Sequence, residues 1–507
     1  MTSAFAAGGP QLTIVLASML AIFAAPSLAA ERPNIILMMG DDHGWEETGY
    51  NGHPHVQTPV LDEMAAAGLR LDRFYAAHPS CSPTRVSFLT GRHPNRMGTF
   101  APGWSIRPEE ITIAQLLGST GYHCGHFGKW HVGTVKQGSP TNPGAMGFDE
   151  WLSHDNFFEL NPSLSRNGGP PQVFPGESSE VLIRETIAFL NGAAEKQKPF
   201  LAVVWFGSPH EPYSGLPKDL SLYDDLPGRY TKQVRLTSNE TGQPTKRPQG
   251  EVLRERYAEI TAMDRAIGML REHLEATGLK QNTLLFYCGD NGTSPETALG
   301  EPHRGVKNTV YEGGLLVPGL IEWPARIPKP TVSRMRASTS DLLPTLCSLL
   351  GLTPPDRPLD GIDISPAFGG ASGPRPQPLC FWKLDSRSLD EFVTGTWIEP
   401  HWQTGTTPLV KLSGGKPTRD FRNNRYAGLP AAFTGGSRAI ISDNQKLVIH
   451  DRRNGSAAVE LFNLSTDPGE TRNLATEDPT TAERLQGSLA DWQRGVMKSL
   501  SGADYAE

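Results

Sequence analysis

Residues 34–44 read Asn-Ile-Ile-Leu-Met-Met-Gly-Asp-Asp-His-Gly, and the architecture of the chain turns on them. The apolar run through Met39 has strand length and no alternation, as expected for a parallel strand buried on both faces. Gly40-Asp41-Asp42-His43-Gly44 then places two hard oxygen side chains, with flanking glycines, where that strand ends.

Working outward, Thr58-Pro59 predicts the cap and opening of a helix through Leu69, with Leu61, Met64, Ala65 and Leu69 on one side. A second short helix is expected from Thr112 to Leu117. Further buried strands are expected at Phe200–Phe206, Thr283–Cys288 and Leu315–Glu322, and helices at Val181–Leu190, Val252–Ala276 and Asp341–Leu350. Strands alternating with helices define an α/β fold with a mostly parallel central sheet flanked by helices. After about Pro376, Gly, Pro and Thr become frequent and the expected strands are short: Arg438–Ser442, Lys446–Asp451 and Val459–Asn463. With a polar helix near Thr481–Lys498 they predict a small C-terminal antiparallel sheet carrying one helix. The expected division is residues 31–375 as the main domain and 376–507 as a C-terminal subdomain.

A chain of 507 residues has room for one large domain and a smaller one. Hydrophobic content of 37% and charged content of 20% are those of an ordinary globular protein. A net charge of −7 speaks against nucleic-acid binding as the main activity. The five cysteines form no CxxC pair, so neither a disulfide scaffold nor a zinc site is indicated. Residues 1–30 read as an export signal, with an apolar run from Leu12 to Ala25 and small residues at Ser27-Leu28-Ala29-Ala30. The run is too short for a stable membrane span, although no Lys or Arg precedes it. The mature chain is expected to be periplasmic or secreted.

In open α/β sheets, ligands gather beyond the carboxyl ends of the strands. The Thr283–Cys288 strand ends in Gly289-Asp290-Asn291-Gly292, a second pair of oxygen donors. Either pair alone is more often an Asx turn; together, Asp41, Asp42, Asp290 and Asn291 favour calcium or magnesium over zinc. Residues 79–91, PSCSPTRVSFLTG, set Cys81 just ahead of an expected helix that Gly91 stops. There its sulfur meets unpaired N–H groups and the positive end of the helix dipole, and Arg85 adds a charge on the same face. An isolated cysteine is usually packing. Gly128-Lys129-Trp130-His131-Val132-Gly133 and Gly207-Ser208-Pro209-His210-Glu211-Pro212 each follow an apolar stretch. They offer His131 and His210 for proton transfer and Lys129 to hold an anion. The glycine-bounded loop from His303 to Gly314 adds Lys307, placed to reach a leaving group.

The segments CSPTR, GKWHVG, SPHEP and GDNG, with ILMMGDDHGW ahead and RGVKNTVYEGGLLVP behind, resemble the type I sulfatase family. VELFNLSTDPGETRNLA (Val459–Ala475) is similar to its C-terminal signature, so the resemblance covers nearly the whole mature chain. CSPTRVSFLTGRHPNRMG is similar to the branch holding arylsulfatases and N-acetylgalactosamine-6-sulfatases. The resemblance implies the alkaline-phosphatase-like fold. It also implies that a formylglycine-generating maturation enzyme oxidises Cys81 to an aldehyde, which hydrates to a diol. One hydroxyl attacks the sulfur of a sulfate ester to give a covalent sulfated intermediate, and loss of the other hydroxyl's proton expels sulfate. By the same resemblance Asp41, Asp42, Asp290 and Asn291 bind one divalent cation, usually calcium. Arg85 and Lys129 steady the diol, and Lys129, His210 and Lys307 contact the sulfate. His131 starts elimination, while His210 and Lys307 serve the departing alcohol.

A sulfate monoester carries one negative charge, for which one divalent cation and a few cationic side chains suffice. No further Asp and His set marks a second metal, so sulfate hydrolysis leads over a formylglycine-dependent phosphonate or phosphodiester hydrolase. A sulfated-glycan binding protein that never matures Cys81 is the reading from a different class. For the substrate, an aryl sulfate or a sulfated carbohydrate, Trp104, the run His154–Phe158 and Tyr213 are candidate pocket walls. The segment from Lys411 to Arg438, with six basic residues and one acidic, suits a sulfated polysaccharide or a solvated loop.

Overall fold

The structure is a computed structural model describing residues 1–4, 8–9, 32–238, 243–300, 302–408, 421–451 and 457–505. The export-signal stretch at 12–30 and residues 411–420 of the basic segment lie outside the described residues. Among the described residues no helix is long and apolar enough to cross a membrane.

The strand expected at residue 34 runs Asn34–Gly40 and lies inside a ten-stranded sheet. Across that sheet the order is Thr331–Ser333, Leu69–Leu71, Gly319–Glu322, Thr283–Gly289, Asn34–Gly40, Phe200–Trp205, His123–Lys129, Glu150–His154, Ser163–Arg166 and Gln172–Val173. Five consecutive strands, from Thr283–Gly289 to Glu150–His154, are parallel; the flanking strands add antiparallel pairs. Both faces are covered, and three of the central strands, Thr283–Gly289, Asn34–Gly40 and Phe200–Trp205, carry nearly unbroken apolar runs, whereas the equally buried His123–Lys129 carries two histidines and a lysine. Ile35, Leu37 and Met39 pack with helices Cys81–Thr90, Ile113–Gly118 and Leu342–Leu350 on one side. Ile36 and Met38 pack with helices Pro59–Ala67, Ser178–Glu195 and Gln249–Ala276 on the other.

Two expectations need correction. The helix expected to reach Leu69 stops at Ala67, because Gly68 breaks it and Leu69–Leu71 joins the sheet. The single strand expected over Leu315–Glu322 is two. Leu316–Val317 pairs with Phe74–Tyr75 in a separate small sheet, and Gly319–Glu322 enters the large sheet antiparallel. Pro318, lacking an N–H for the ladder, lies at the break.

Towards the C-terminus, Leu379–Leu384, Gly436–Ser442, Gln445–Asp451 and Ala457–Asn463 form an antiparallel four-stranded sheet. Helix Pro479–Leu500 packs against it through Ala482, Leu485 and Leu489. Residues 33–507 form one compact unit.

Candidate active site

Register assembles the site. Gly40 pairs with Gly289 across the two central strands, so the Asp41-Asp42 and Asp290-Asn291 turns leave the sheet side by side. Met39 pairs with Trp205, and Trp205 with Gly128, which carries the loops holding His210, Lys129 and His131 to the same edge. The close approach demands glycine: a Cβ on Gly289 would lie 2.1 Å from the His43 carbonyl oxygen. Asp42 at φ 61° and His131 at φ 56° both sit in the left-handed region, which costs a non-glycine residue about 1 kcal/mol or more. The surroundings must therefore hold each of them in place.

Helix Cys81–Thr90 begins one residue earlier than expected, with Ser80 as its cap and Cys81 as its first residue, and ends at Gly91 with φ 71°. The helix is tied to the Lys129 loop by Ser82 Oγ, which donates to the His131 carbonyl at 2.6 Å. Cys81 Sγ stands 3.5 Å from Asp41 Oδ1 and 3.9 Å from Asp42 Oδ1. Burial, foremost, together with Asp290 and Asp41 pushes this thiol far above its usual range, despite Lys129 and Lys307 nearby. The unmodified thiol is therefore protonated and a poor nucleophile.

Cations bind the carboxylates one by one. Lys129 Nζ lies 2.5 Å from Asp41, Arg85 lies 2.7 Å from Asp290, and Lys307 Nζ lies 2.7 Å from Asp42. Burial alone would raise Asp41, but Lys129, His210 and Arg85 hold it down at about 2. Asp42 is likewise held low against burial by Lys307 and His210. Asp290 goes the other way, to about 7, because burial and the neighbouring Asp41 outweigh Arg85. His210 Nε2 is 3.2 Å from Lys307 Nζ, and Phe157 stacks on its ring at 4.7 Å. Burial and Lys307 lower His210 to about 4, and burial and Lys129 hold His131 far below its usual value. His131 Nδ1 is buried without a hydrogen-bond partner.

All ten residues singled out from the sequence thus gather at one sheet edge. Only His210 and Lys307 reach solvent appreciably, with side chains 11% and 13% exposed. They form the mouth over a closed floor.

The donor set fits a hard divalent cation. Asp41, Asp42, Asp290 and Asn291 present oxygens only, and the buried Asn291 Oδ1 has no hydrogen-bond partner. Its Nδ2 donates to Asp42 Oδ1 at 2.8 Å, and the Asp42 N–H donates to Asp290 Oδ1 at 2.8 Å. Among the described His, Cys, Asp and Glu residues, Asp41, Asp42, Cys81 and His210 also bring one possible ligand atom each within 4.8 Å of one another. A protonated thiol is a weak ligand for a hard ion, so the oxygen set is the better fit.

Several residues that hold the site escaped the sequence reading. Arg256 is fully buried; it donates to both Glu47 oxygens and to the Asp42 and Pro209 carbonyls, each at 2.6 Å. It thereby ties two catalytic turns to helix Gln249–Ala276. The available signal was a charge on the apolar stripe Val252, Ile260 and Met263. Ser294 Oγ donates to Asp42 Oδ2 at 2.7 Å. Of the expected pocket walls, Phe157 lies against His210, whereas Trp104 and Tyr213 are buried, Trp104 under Arg422 and Tyr213 bonded to Glu296. His154 and Asp155 are buried too, and Asp155 holds Thr407 and Val135.

A sheet-end centre that pairs a helix-borne cysteine with an oxygen-rich cation site and three basic side chains defines a hydrolase of anionic esters. A sequence model of the sulfatase family matches residues 33–352. The chain is 32% identical to N-acetylgalactosamine-6-sulfatase of Canis lupus familiaris, over 96% of this chain and 89% of the relative. It is 33% identical to arylsulfatase A of Homo sapiens, over 90% and 86% of the two chains. A sulfatase structure from Pseudoalteromonas sp. superposes with a TM-score of 0.64 at 22% identity, covering 92% of this chain and 91% of that one, which is a likeness of fold. The chain belongs to the sulfatase family, whose members hydrolyse sulfate esters with a metal ion and a formylglycine residue.

Proposed function

We propose that this sulfatase removes sulfate from a sulfated carbohydrate after export, with Ca2+ held by Asp41, Asp42, Asp290 and Asn291. In this reading Cys81 is first converted to formylglycine by a separate maturation enzyme. The proposal rests above all on the position of Cys81: an inert thiol at a helix start, 3.5 Å from Asp41 and enclosed by Arg85, Lys129 and Lys307. A sugar sulfate is favoured because a similar chain is an N-acetylgalactosamine-6-sulfatase.

The hydrated aldehyde would supply a hydroxyl nucleophile, and a cation held by Asp41, Asp42, Asp290 and Asn291 would supply positive charge to offset that of the sulfate. The chain's own residues do the rest. Arg85 and Lys129 hold the attacking side and the sulfate oxygens from the closed floor. His131, neutral and with Nδ1 free to accept, takes the proton that starts sulfate release. Lys307 and His210, at the mouth, face the departing alcohol. Lys307 keeps its proton because Asp42 pushes it above its usual value against burial. Negative charge from a bound sulfate raises His210 toward sharing that proton.

The test is turnover by the matured, Ca2+-loaded protein of matched aryl sulfate, phosphate monoester and phosphonate monoester substrates. Preferential hydrolysis of the sulfate is expected; preference for the phosphonate would transfer the site to the rival hydrolase class. A series of sulfated mono- and oligosaccharides then names the sugar.

A further inference from the structure

Beside the edge of the large sheet, where the C-terminal hairpin meets it, lies a cavity of ≈ 220 Å³ lined by Arg73, Arg334, Arg336, Arg375 and Asn444 among others. That is far more than the about 10–15 Å³ a single water needs. Its arginines come from separate segments: Arg73 follows the Leu69–Leu71 strand, Arg334 and Arg336 follow Thr331–Ser333, and Arg375 precedes Leu379–Leu384. Asn444 is carried by the turn between Gly436–Ser442 and Gln445–Asp451.

The charges there are not balanced. Arg375 is neutralised by a bidentate pair with Asp341, at 2.6 Å to each oxygen. Arg334 lies a loose 3.8 Å from Asp72, which Arg70 already holds at 2.6 Å. Among the described residues Arg73 and Arg336 have no carboxylate in ion-pair range. Instead both donate to one amide oxygen, Asn444 Oδ1, at 3.2 and 3.4 Å. Arg336 is only 6% exposed and is fixed by bonds to the Asp443 carbonyl and Tyr75 Oη. The carboxylate of Asp443, which also lines the cavity, pairs with none of these arginines. Partial burial, then Arg336 and Arg334, push Arg73 below its usual value, although Tyr75 and the more distant Glu312, itself held by Lys446, act the other way. Guanidinium forks placed this way match the oxygens of a tetrahedral anion.

We propose that this cavity is a second, non-catalytic oxyanion site in which Arg73, Arg334 and Arg336 bind a sulfate group. The same chemistry is offered by inorganic sulfate and by an ester sulfate on a carbohydrate chain. None of the three arginines belongs to the catalytic centre, so the proposal stands independently of the reaction assigned there.

The experiment titrates the Ca2+-loaded protein and its Arg73→Gln/Arg334→Gln variant with inorganic sulfate and, separately, with a sulfated hexasaccharide, by calorimetry. The variant is expected to lose one binding event, or at least tenfold in its affinity, while aryl sulfate turnover stays unchanged. Loss with inorganic sulfate assigns the site to the free ion, and loss with the hexasaccharide alone assigns it to the polymer. Identical titrations of both proteins with both probes would overturn the proposal. Should the variant not fold, wild-type crystals soaked in selenate decide: an anomalous peak between Arg73 and Arg336 is expected, and its absence at full occupancy of the catalytic site is the contrary result.

Discussion

Arg85 and Asp290 form an ion pair of 2.7 Å with both side chains wholly shielded from water. Arg85 comes from the helix that carries Cys81, and Asp290 from the turn after a central strand, so this pair fastens the nucleophile's helix to the cation site. A buried pair contributes little over a well-packed apolar pair, but breaking it strands a charge. Arg85→Ala is therefore expected to destabilise the protein by about 3–5 kcal/mol, measured by urea unfolding in chelator. Unchanged stability would mean that Asp290, already raised to about 7, takes up a proton once Arg85 is gone.

The mouth residues give a leaving-group signature. If Lys307 and His210 assist the departing alcohol, Lys307→Ala should lose about 10²–10⁴-fold in kcat on a sugar sulfate, the usual scale of acid assistance. The loss should be much smaller on a nitrophenyl sulfate, whose leaving group needs no proton. Equal losses on both would assign Lys307 to sulfate binding alone.

Arg256 acts at one remove. Arg256→Lys keeps a charge beside Glu47 but cannot span Glu47 and the Asp42 and Pro209 carbonyls together. The expected result is a folded enzyme with lower kcat, a nearly unchanged KM for aryl sulfate, and weaker Ca2+ affinity. A wild-type kcat would show that the two turns hold their places without it.

Acid should loosen the packing between helix Pro479–Leu500 and the catalytic region. Burial would raise Asp360, but Arg96 at 2.7 Å and His93 hold it far below the usual carboxylate range. Burial also lowers His93 to about 3. Both folded values lie below their unfolded ones, so both groups favour folding above their unfolded pKa values and lose that effect as pH falls. Stability should decline below about pH 6.5 as unfolded His93 takes up its proton, and further below about pH 4 through Asp360. In Asp360→Asn, urea midpoints should start lower at pH 7 and fall less steeply below pH 4; an unaltered slope would exclude Asp360 as the acid-sensitive group.

Three strands of the parallel core, Asn34–Gly40, Phe200–Trp205 and Thr283–Gly289, were legible because burial on both faces makes them nearly all apolar; His123–Lys129 and Glu150–His154 were not, because histidines, Lys129 and Glu150 interrupt any apolar run. The cation site was legible because Asp41, Asp42, Asp290 and Asn291 follow the ends of two of those strands, and Cys81 with Arg85 because Pro83 and Gly91 bound their short helix. Leu379–Leu384 was missed, since its neighbour in the sheet, Gly436–Ser442, lies some fifty residues away and nothing local marks the pairing. The Leu315–Glu322 reading failed because a hydrophobic run does not reveal that it serves two sheets. Arg256 and Ser294 were invisible for a related reason: each acts across a tertiary contact, and neither belongs to a strand-end motif, whereas Phe157 was among the expected pocket walls and does lie against His210.

The central claim is that the side chain at position 81 is the modified nucleophile of a sulfate-ester hydrolase. The most direct measurement is the mass of the peptide spanning Cys81 from active enzyme, taken alongside aryl sulfate turnover. The account predicts a peptide lighter by about 18 Da than its cysteine form, in a fraction that tracks specific activity and vanishes with activity in Cys81→Ala. Full turnover by protein whose Cys81 peptide retains its thiol would contradict it.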